Sequence, residues 1–142
     1  MKGLMMRVLQ AWLIAIAMLA PAWADDMNRE RVLAELARLD RAIAETPTAA
    51  QLYLARGDAC YLLNDHQRAV ADYSTALTLN DKLDQAYFGR GMAYGRMGLI
   101  DEGIADLSVY IARHPNDAVA YTKRGVRNIW RGHWDAAEHD LT

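Results

Sequence analysis

From about residue 50 onward, apolar positions recur three, four and seven residues apart, the spacing of one helical face. Tyr53, Gly57 and Cys60 set the first face, and Leu62 and Leu63 carry it to a break at Asn64-Asp65. Val70, Tyr73 and Leu77, with small Ala69 and Ala76 alongside, predict a second helix from about His66 to Leu79, ended by Asn80-Asp81. The alternation then repeats. A helix over Ala86 to Met97 breaks at Gly98, and another over Asp101 to Arg113 stops at His114-Pro115, a proline being a usual terminator just past a helix end. A last helix begins near Trp134, and the given sequence stops at Thr142.

The repetition has a fixed step. Arg56-Gly57, Arg90-Gly91 and Arg124-Gly125 are 34 residues apart, as are Tyr53, Tyr87 and Tyr121; Asp72, Asp106 and Asp140; and Ala69, Gly103 and Ala137. A period of this length predicts a helical solenoid. The three glycines fall mid-helix, where Gly costs about 1 kcal/mol relative to Ala. Something must approach the backbone closely there, and the second helix of each pair, through Ala69, Gly103 and Ala137, is the candidate. The recurrent Arg and Asp predict an ion pair between helices, since partly buried charges are tolerated when paired. Arginine suits fixed bidentate pairing better than lysine.

Tyr53-x-x-Arg56-Gly57-x-x-Cys60 followed by Ala69-x-x-x-Tyr73 resembles the tetratricopeptide repeat, whose pattern is aromatic-x-x-Leu-Gly-x-x-Tyr, Ala-x-x-x-Phe, Pro. Tyr87, Gly91, Tyr94, Gly103, Leu107 and Pro115 match it more fully, and Tyr121, Gly125, Ala137 and Leu141 match it a third time. The departures are Arg for Leu before each Gly, Asn128 for a Tyr, and Asp81 for the Pro. The resemblance covers about Ala50 to Thr142. It implies an all-α, right-handed solenoid with repeats at 50–83, 84–117 and 118–142, the third incomplete. Stepping back one period places Pro47 and Leu39 in the slots of Asp81 and Tyr73. Residues 25–48, with apolar Val32, Leu36, Leu39 and Ile43, are then expected to be an N-terminal capping half-repeat. Solenoid ends need a polar outer face, which Arg29, Arg31, Arg38 and Arg41 could supply.

The start of the chain reads differently. Lys2 and Arg7 precede the apolar run Ala11–Ala20, and Ala22-Trp23-Ala24 forms an A-x-A cleavage signature. This is the pattern of a secretory signal peptide over residues 1–24, and the run is too short to span a bilayer. Cleavage after Ala24 is expected, with a periplasmic destination in a Gram-negative bacterium and membrane contact only through the transient signal. No Cys lies near the cut, which argues against a lipoprotein anchor. The formal charge of −2 gives no electrostatic case for nucleic acid. Cys60 is the only cysteine and falls in the slot of Tyr94, so it is expected to be a small buried hydrophobe.

No catalytic pattern is found. His66, His114, His133 and His139 have no zinc-site spacing, and Asp135 with His139 at i, i+4 suits a surface pair better than a metal site. Ser74 and Ser108 lack a neighbouring base in the sequence, and no cofactor motif occurs. The expected function is that of a non-enzymatic scaffold for a protein or peptide partner. First helices of the family stack to line a groove, which would here take Leu54, Asp58 and Tyr61, then Phe88, Met92 and Arg96, then Thr122, Val126, Ile129 and Trp130. Tyr87, beside Phe88, is expected to face the helix-pair core. Some family members clamp a peptide's C-terminal carboxylate with basic and amide side chains. Here the matching positions are Leu54, Asp58, Gly89, Val119 and Lys123, and only the last is basic. The alternative is a structural module that oligomerises through its C-terminal helix.

Overall fold

Three residues with left-handed backbone fix the chain's course, and they too are 34 apart. Asn64 (φ 63°), Gly98 (φ 78°) and Gly132 (φ 82°) each lie between the two helices of a pair. Glycine meets this conformation without a Cβ penalty, and Asn is the side chain that best tolerates it. In the computed structural model, which describes residues 26–142, these turns separate α2 (Ala50–Leu62) from α3 (His66–Leu79), α4 (Asp84–Arg96) from α5 (Ile100–Arg113), and α6 (Ala118–Arg131) from α7 (Trp134–Leu141). Helical residues 26–45 precede them as α1. The signal peptide expected over residues 1–24 lies outside the described residues.

The chain divides between Ala34 and Glu35 into two units. The described part of the first is the helical stretch 26–34. In the second, each helix packs on the next from α2 to α7, and the first helices also lie side by side, α2 on α4 and α4 on α6. Every helix is α and none of the described residues forms a strand, so this is an all-α helical-repeat fold. Among the described residues, no helix is long and apolar enough to cross a membrane.

The core is thin and built on small side chains. Cys60, Ala69, Tyr73, Ala76, Leu77, Leu83, Ala86 and Ala93 form one buried cluster, with Leu36, Tyr53 and Val70 half-buried against it. Tyr110, Ile111 and Ala120 form a second, flanked by Tyr87, Phe88 and Tyr121. Half-buried Tyr87 packs on both clusters, as expected of it. Cys60 is buried, and burial raises its thiol pKa, which keeps it inert. The second helix of each pair does crowd the mid-helix glycines, but of the expected small counterparts only Gly103 is among the nearest atoms; Tyr73 fills the space at Gly57, and Leu141 and Asp140 fill it at Gly125. A Cβ on Gly91 would meet Leu107 Cγ at 3.1 Å and the Gly103 carbonyl at 3.2 Å, and one on Gly125 would meet Leu141 Cγ at 2.9 Å.

Candidate functional site

Each repeat is held by one arginine with three engagements. Arg56 donates from Nε and Nη2 to the two oxygens of Asp72 at 2.8 and 2.6 Å. Arg90 makes the same fork to Asp106 at 2.7 and 2.9 Å, and Arg124 to Asp140 at 2.9 and 2.6 Å. These are the pairs that the spacing anticipates. The third nitrogen reaches back to the preceding helix pair: Arg90 Nη1 donates to Ser74 Oγ at 3.1 Å and Arg124 Nη1 to Ser108 Oγ at 3.0 Å. At the first rung the acceptor is Asp40 of α1, 2.9 Å from Arg56 Nη1 and also bonded by Arg68. Each guanidinium also lies over the tyrosine three residues earlier, Tyr53, Tyr87 or Tyr121, at 5.5, 5.9 and 5.6 Å from the ring centroid. Hydrogen bonds to the aspartates are the largest influence on these arginines and push their pKa values further up. Their role is structural.

The face made by α2, α4 and α6 is less uniform. Met92, Arg96, Thr122, Val126 and Trp130, five of the anticipated groove residues, line one cavity of about 220 Å³ between α4 and α6, with Lys123 and Arg127. Trp130 is 63% exposed and Ile129 is exposed nearby on the same helix. The other anticipated residues lie elsewhere. Leu54 and Tyr61 are half-buried against the first core cluster. Phe88 packs on Tyr110, ring centroids 5.1 Å apart. Asp58 accepts the Tyr73 hydroxyl at 2.7 Å, and burial, opposed by that bond, raises its carboxyl pKa.

Arg127 was not legible as a site residue. It is 4% exposed and occupies the period slot filled by Ala59 and Ala93. Its space comes from two glycines: a Cβ on Gly95 would collide with the guanidinium, and one on Gly103 would lie 3.1 Å from Nε. It donates to the carbonyls of Lys123 at 2.8 Å, Gly91 at 3.3 Å and Met92 at 3.4 Å, while its Nε has no acceptor. Burial pushes its pKa down, and the neighbouring Arg96 adds to that. A charge replacing alanine in a slot that the helical wheel assigns to the core gives no periodic signal.

The remaining polar groups do not converge on chemistry. Asp135 and His139 stand exposed on α7 without an ion pair between them, so the expected surface pair is not formed. Among the described residues no three His, Cys, Asp or Glu side chains gather as a metal set. His114 instead bonds Asp84 at 2.9 Å and stacks on Tyr110 at 4.5 Å, tying α5 to α4.

A family model described as TPR repeat matches residues 57–98. Hsp70-Hsp90 organizing protein 3 of Arabidopsis thaliana is 26% identical over 91 residues, which are 64% of this chain and 16% of that protein. Among solved structures, a crystal structure of MamA superposes with a TM-score of 0.71 at 25% identity, covering 75% of this chain and 62% of that one. Residues 57–98 thus match the tetratricopeptide repeat, and the fold is similar to that of these repeat structures. MamA residues 41-end from Desulfovibrio magneticus RS-1 (TM-score 0.73, 20% identity, covering 82% of this chain and 70% of that one) share the fold. So does the second TPR domain of human RPAP3, solved with an HSP70 peptide (TM-score 0.64, 20% identity, covering 73% and 92%). The chain spans less than two thirds of the Arabidopsis protein and of the first MamA chain.

Within a tetratricopeptide framework two of the three departures now have causes. Arg stands before each Gly because an Asp faces it across the helix pair. Asn128, in a tyrosine slot, donates to Asp140 at 3.0 Å and completes the third rung from inside.

Proposed function

We propose that this tetratricopeptide-repeat protein is a non-enzymatic scaffold of the bacterial cell envelope that holds a partner helix or peptide along the face of α2, α4 and α6. The observation that carries the reading is the cavity between α4 and α6, walled by Met92 and Val126 and edged by the exposed Trp130. Large apolar side chains left in water around a concavity suit an interface. RPAP3, whose fold this chain shares, was solved with a peptide bound, which supports a peptide as occupant. The envelope assignment rests on the signal-like residues 1–24 and their A-x-A end.

Photo-crosslinking in the native host from position 130, with exposed Thr78 on α3 as the control, tests the reading. A partner trapped from position 130 and not from 78 supports it. Capture from 78 alone places the interface on the second helices and refutes it. N-terminal sequencing of the mature protein should begin at Asp25; an intact Met1 would refute export by a cleaved signal.

A second reading, self-association through α6 and α7, draws support from a hollow of about 390 Å³ lined by Ala118, Tyr121, Thr122 and the last residues of α7, with Trp134 65% exposed on the same helix. Mass measured across concentrations separates the two, since the scaffold reading expects a monomer.

A further inference from the structure

We propose that the cavity between α4 and α6 is a seat for the carboxylate of an Asp or Glu side chain on the partner peptide, held by Arg127 from below and by Arg96 and Lys123 at its mouth. The inference rests on the groove reading above and adds the chemistry of the partner.

Three observations carry it. First, Arg127 is a buried cation with no carboxylate among the described residues within ion-pair distance, bonded only to uncharged acceptors (three carbonyls and the Met92 sulfur) and left with an unpaired Nε. Elsewhere the arginines that pack between helices have their acid: Arg56 has Asp72, Arg90 has Asp106 and Arg124 has Asp140. An uncompensated buried charge destabilises a fold, and the repeat is built twice without one, as Ala59 and Ala93 show. Packing therefore does not require Arg127. Second, among the described residues Arg96 and Lys123 also have no carboxylate partner, and they line the same cavity, so three cations meet there without a described anion to neutralise them. Third, the cavity has room: about 220 Å³ is several times the ~30 Å³ that a water molecule occupies in the liquid. Its other wall, Met92, Val126 and Trp130, is apolar, which suits an acidic side chain flanked by apolar ones. A guanidinium binds a carboxylate through charge-assisted hydrogen bonds, and a half-enclosed site strengthens them over water.

The test is selection of a displayed library of random twelve-residue peptides on the purified protein, each fused at its C-terminus so that no free terminal carboxylate is offered. The expected result is a shared Asp or Glu beside apolar residues in peptides that crosslink to position 130. Replacing that acid by its amide should weaken binding at least tenfold on the wild type. The same replacement should make no difference on Arg127→Met or on the surface double variant Arg96→Gln/Lys123→Gln, which does not disturb the core. Arg127→Met should melt no lower than the wild type. Peptides that crosslink to position 130 yet show no acidic preference would overturn the carboxylate seat and leave the groove standing. Peptides that bind without reaching position 130 would sink the groove and the seat together.

Discussion

The Tyr73 hydroxyl donates to Asp58 at 2.7 Å, although the two side chains start from opposite layers of the structure. The ring gets there by passing between α2 and α4. A Cβ on Gly57 would lie 2.8 Å from its Cδ1, and one on Gly89 would lie 2.6 Å from its Cζ. Two glycines and one long side chain thus connect the second-helix layer to the face proposed for binding.

Partial burial of its carboxyl, opposed by the Tyr73 bond, makes Asp58 a pH-sensitive element. Burial raises its carboxyl pKa, so between the unfolded and folded values the native state holds a proton that the unfolded chain has released. Stability from this group therefore falls as pH rises through that window and stays lower above it. Asp58→Asn should melt above the wild type at pH 7, with an advantage that shrinks as pH is lowered through the folded pKa. Melting curves between pH 3 and 8 check this, and a constant offset would contradict it.

Gly89 should be intolerant of a methyl group. Ala gains about 1 kcal/mol of helix propensity, but overpacking against the buried Tyr73 costs about 1–3 kcal/mol. The net expectation for Gly89→Ala is a modest loss. Combining it with Tyr73→Leu, the residue type at the same slot of the next repeat, should recover part of that loss in a double-mutant cycle of denaturant unfolding.

Arg90 should contribute far more than an exposed pair. Its side chain is 20% exposed and that of Asp106 9%, so Arg90→Ala should cost about 2–3 kcal/mol, somewhat below the 3–5 expected for breaking a fully buried pair. Arg90→Lys should recover little, because an ammonium cannot fork onto Asp106 while reaching Ser74. Arg131, 53% exposed and paired with Asp101, should be replaceable by Ala without a measurable change. Urea midpoints of the three variants give the comparison.

The degree to which the sequence discloses these features follows from what repeats. Arg56–Asp72 and its two copies were legible because both partners keep their identity at every step. The third arm was not, since its acceptors are Asp40, Ser74 and Ser108: the spacing holds but the residue type changes at the first rung. The turns fell where Asn64 and Gly98 suggested, while two helices begin earlier than their patterns do, at Asp84 and Ile100. Phe88 was expected to line the groove; its packing on Tyr110 depends on how α5 crosses α4, which no single-helix pattern contains. Arg127 breaks the periodicity altogether, and the only sequence hint was the pair of glycines, Gly95 and Gly103, that make room for it.

Asn64 should be the most improvable turn residue. Its φ of 63° costs an ordinary L-residue roughly 1–2 kcal/mol, so Asn64→Ala should lower stability by about 1 kcal/mol. Asn64→Gly, matching Gly98 and Gly132, should be neutral or slightly stabilising. Calorimetric melting temperatures decide it.

Trp130 should separate binding from folding. Because it is 63% exposed, Trp130→Ala should leave the melting temperature unchanged and, as an aromatic anchor at the cavity's edge, weaken a groove-bound peptide by about 2 kcal/mol. Tyr87→Ala should do the opposite, with a stability loss of about 3 kcal/mol by analogy with large-to-small aromatic truncations, since Tyr87 packs on both core clusters. Titration calorimetry on both variants, with their melts, is the check.

The three-armed arginines bear on how the array comes apart. In a linear repeat protein, stability divides into what each unit holds by itself and what it gains from its neighbour. Arg90 belongs to both at once: its fork to Asp106 is internal to a unit, and its bond to Ser74 crosses to the one before. Fraying one unit removes an anchor from the next, so the array should resist stepwise peeling and unfold in a single sharp transition. Removing only the crossing bonds, with Ser74→Ala and Ser108→Ala, should broaden that transition more than it shifts its midpoint.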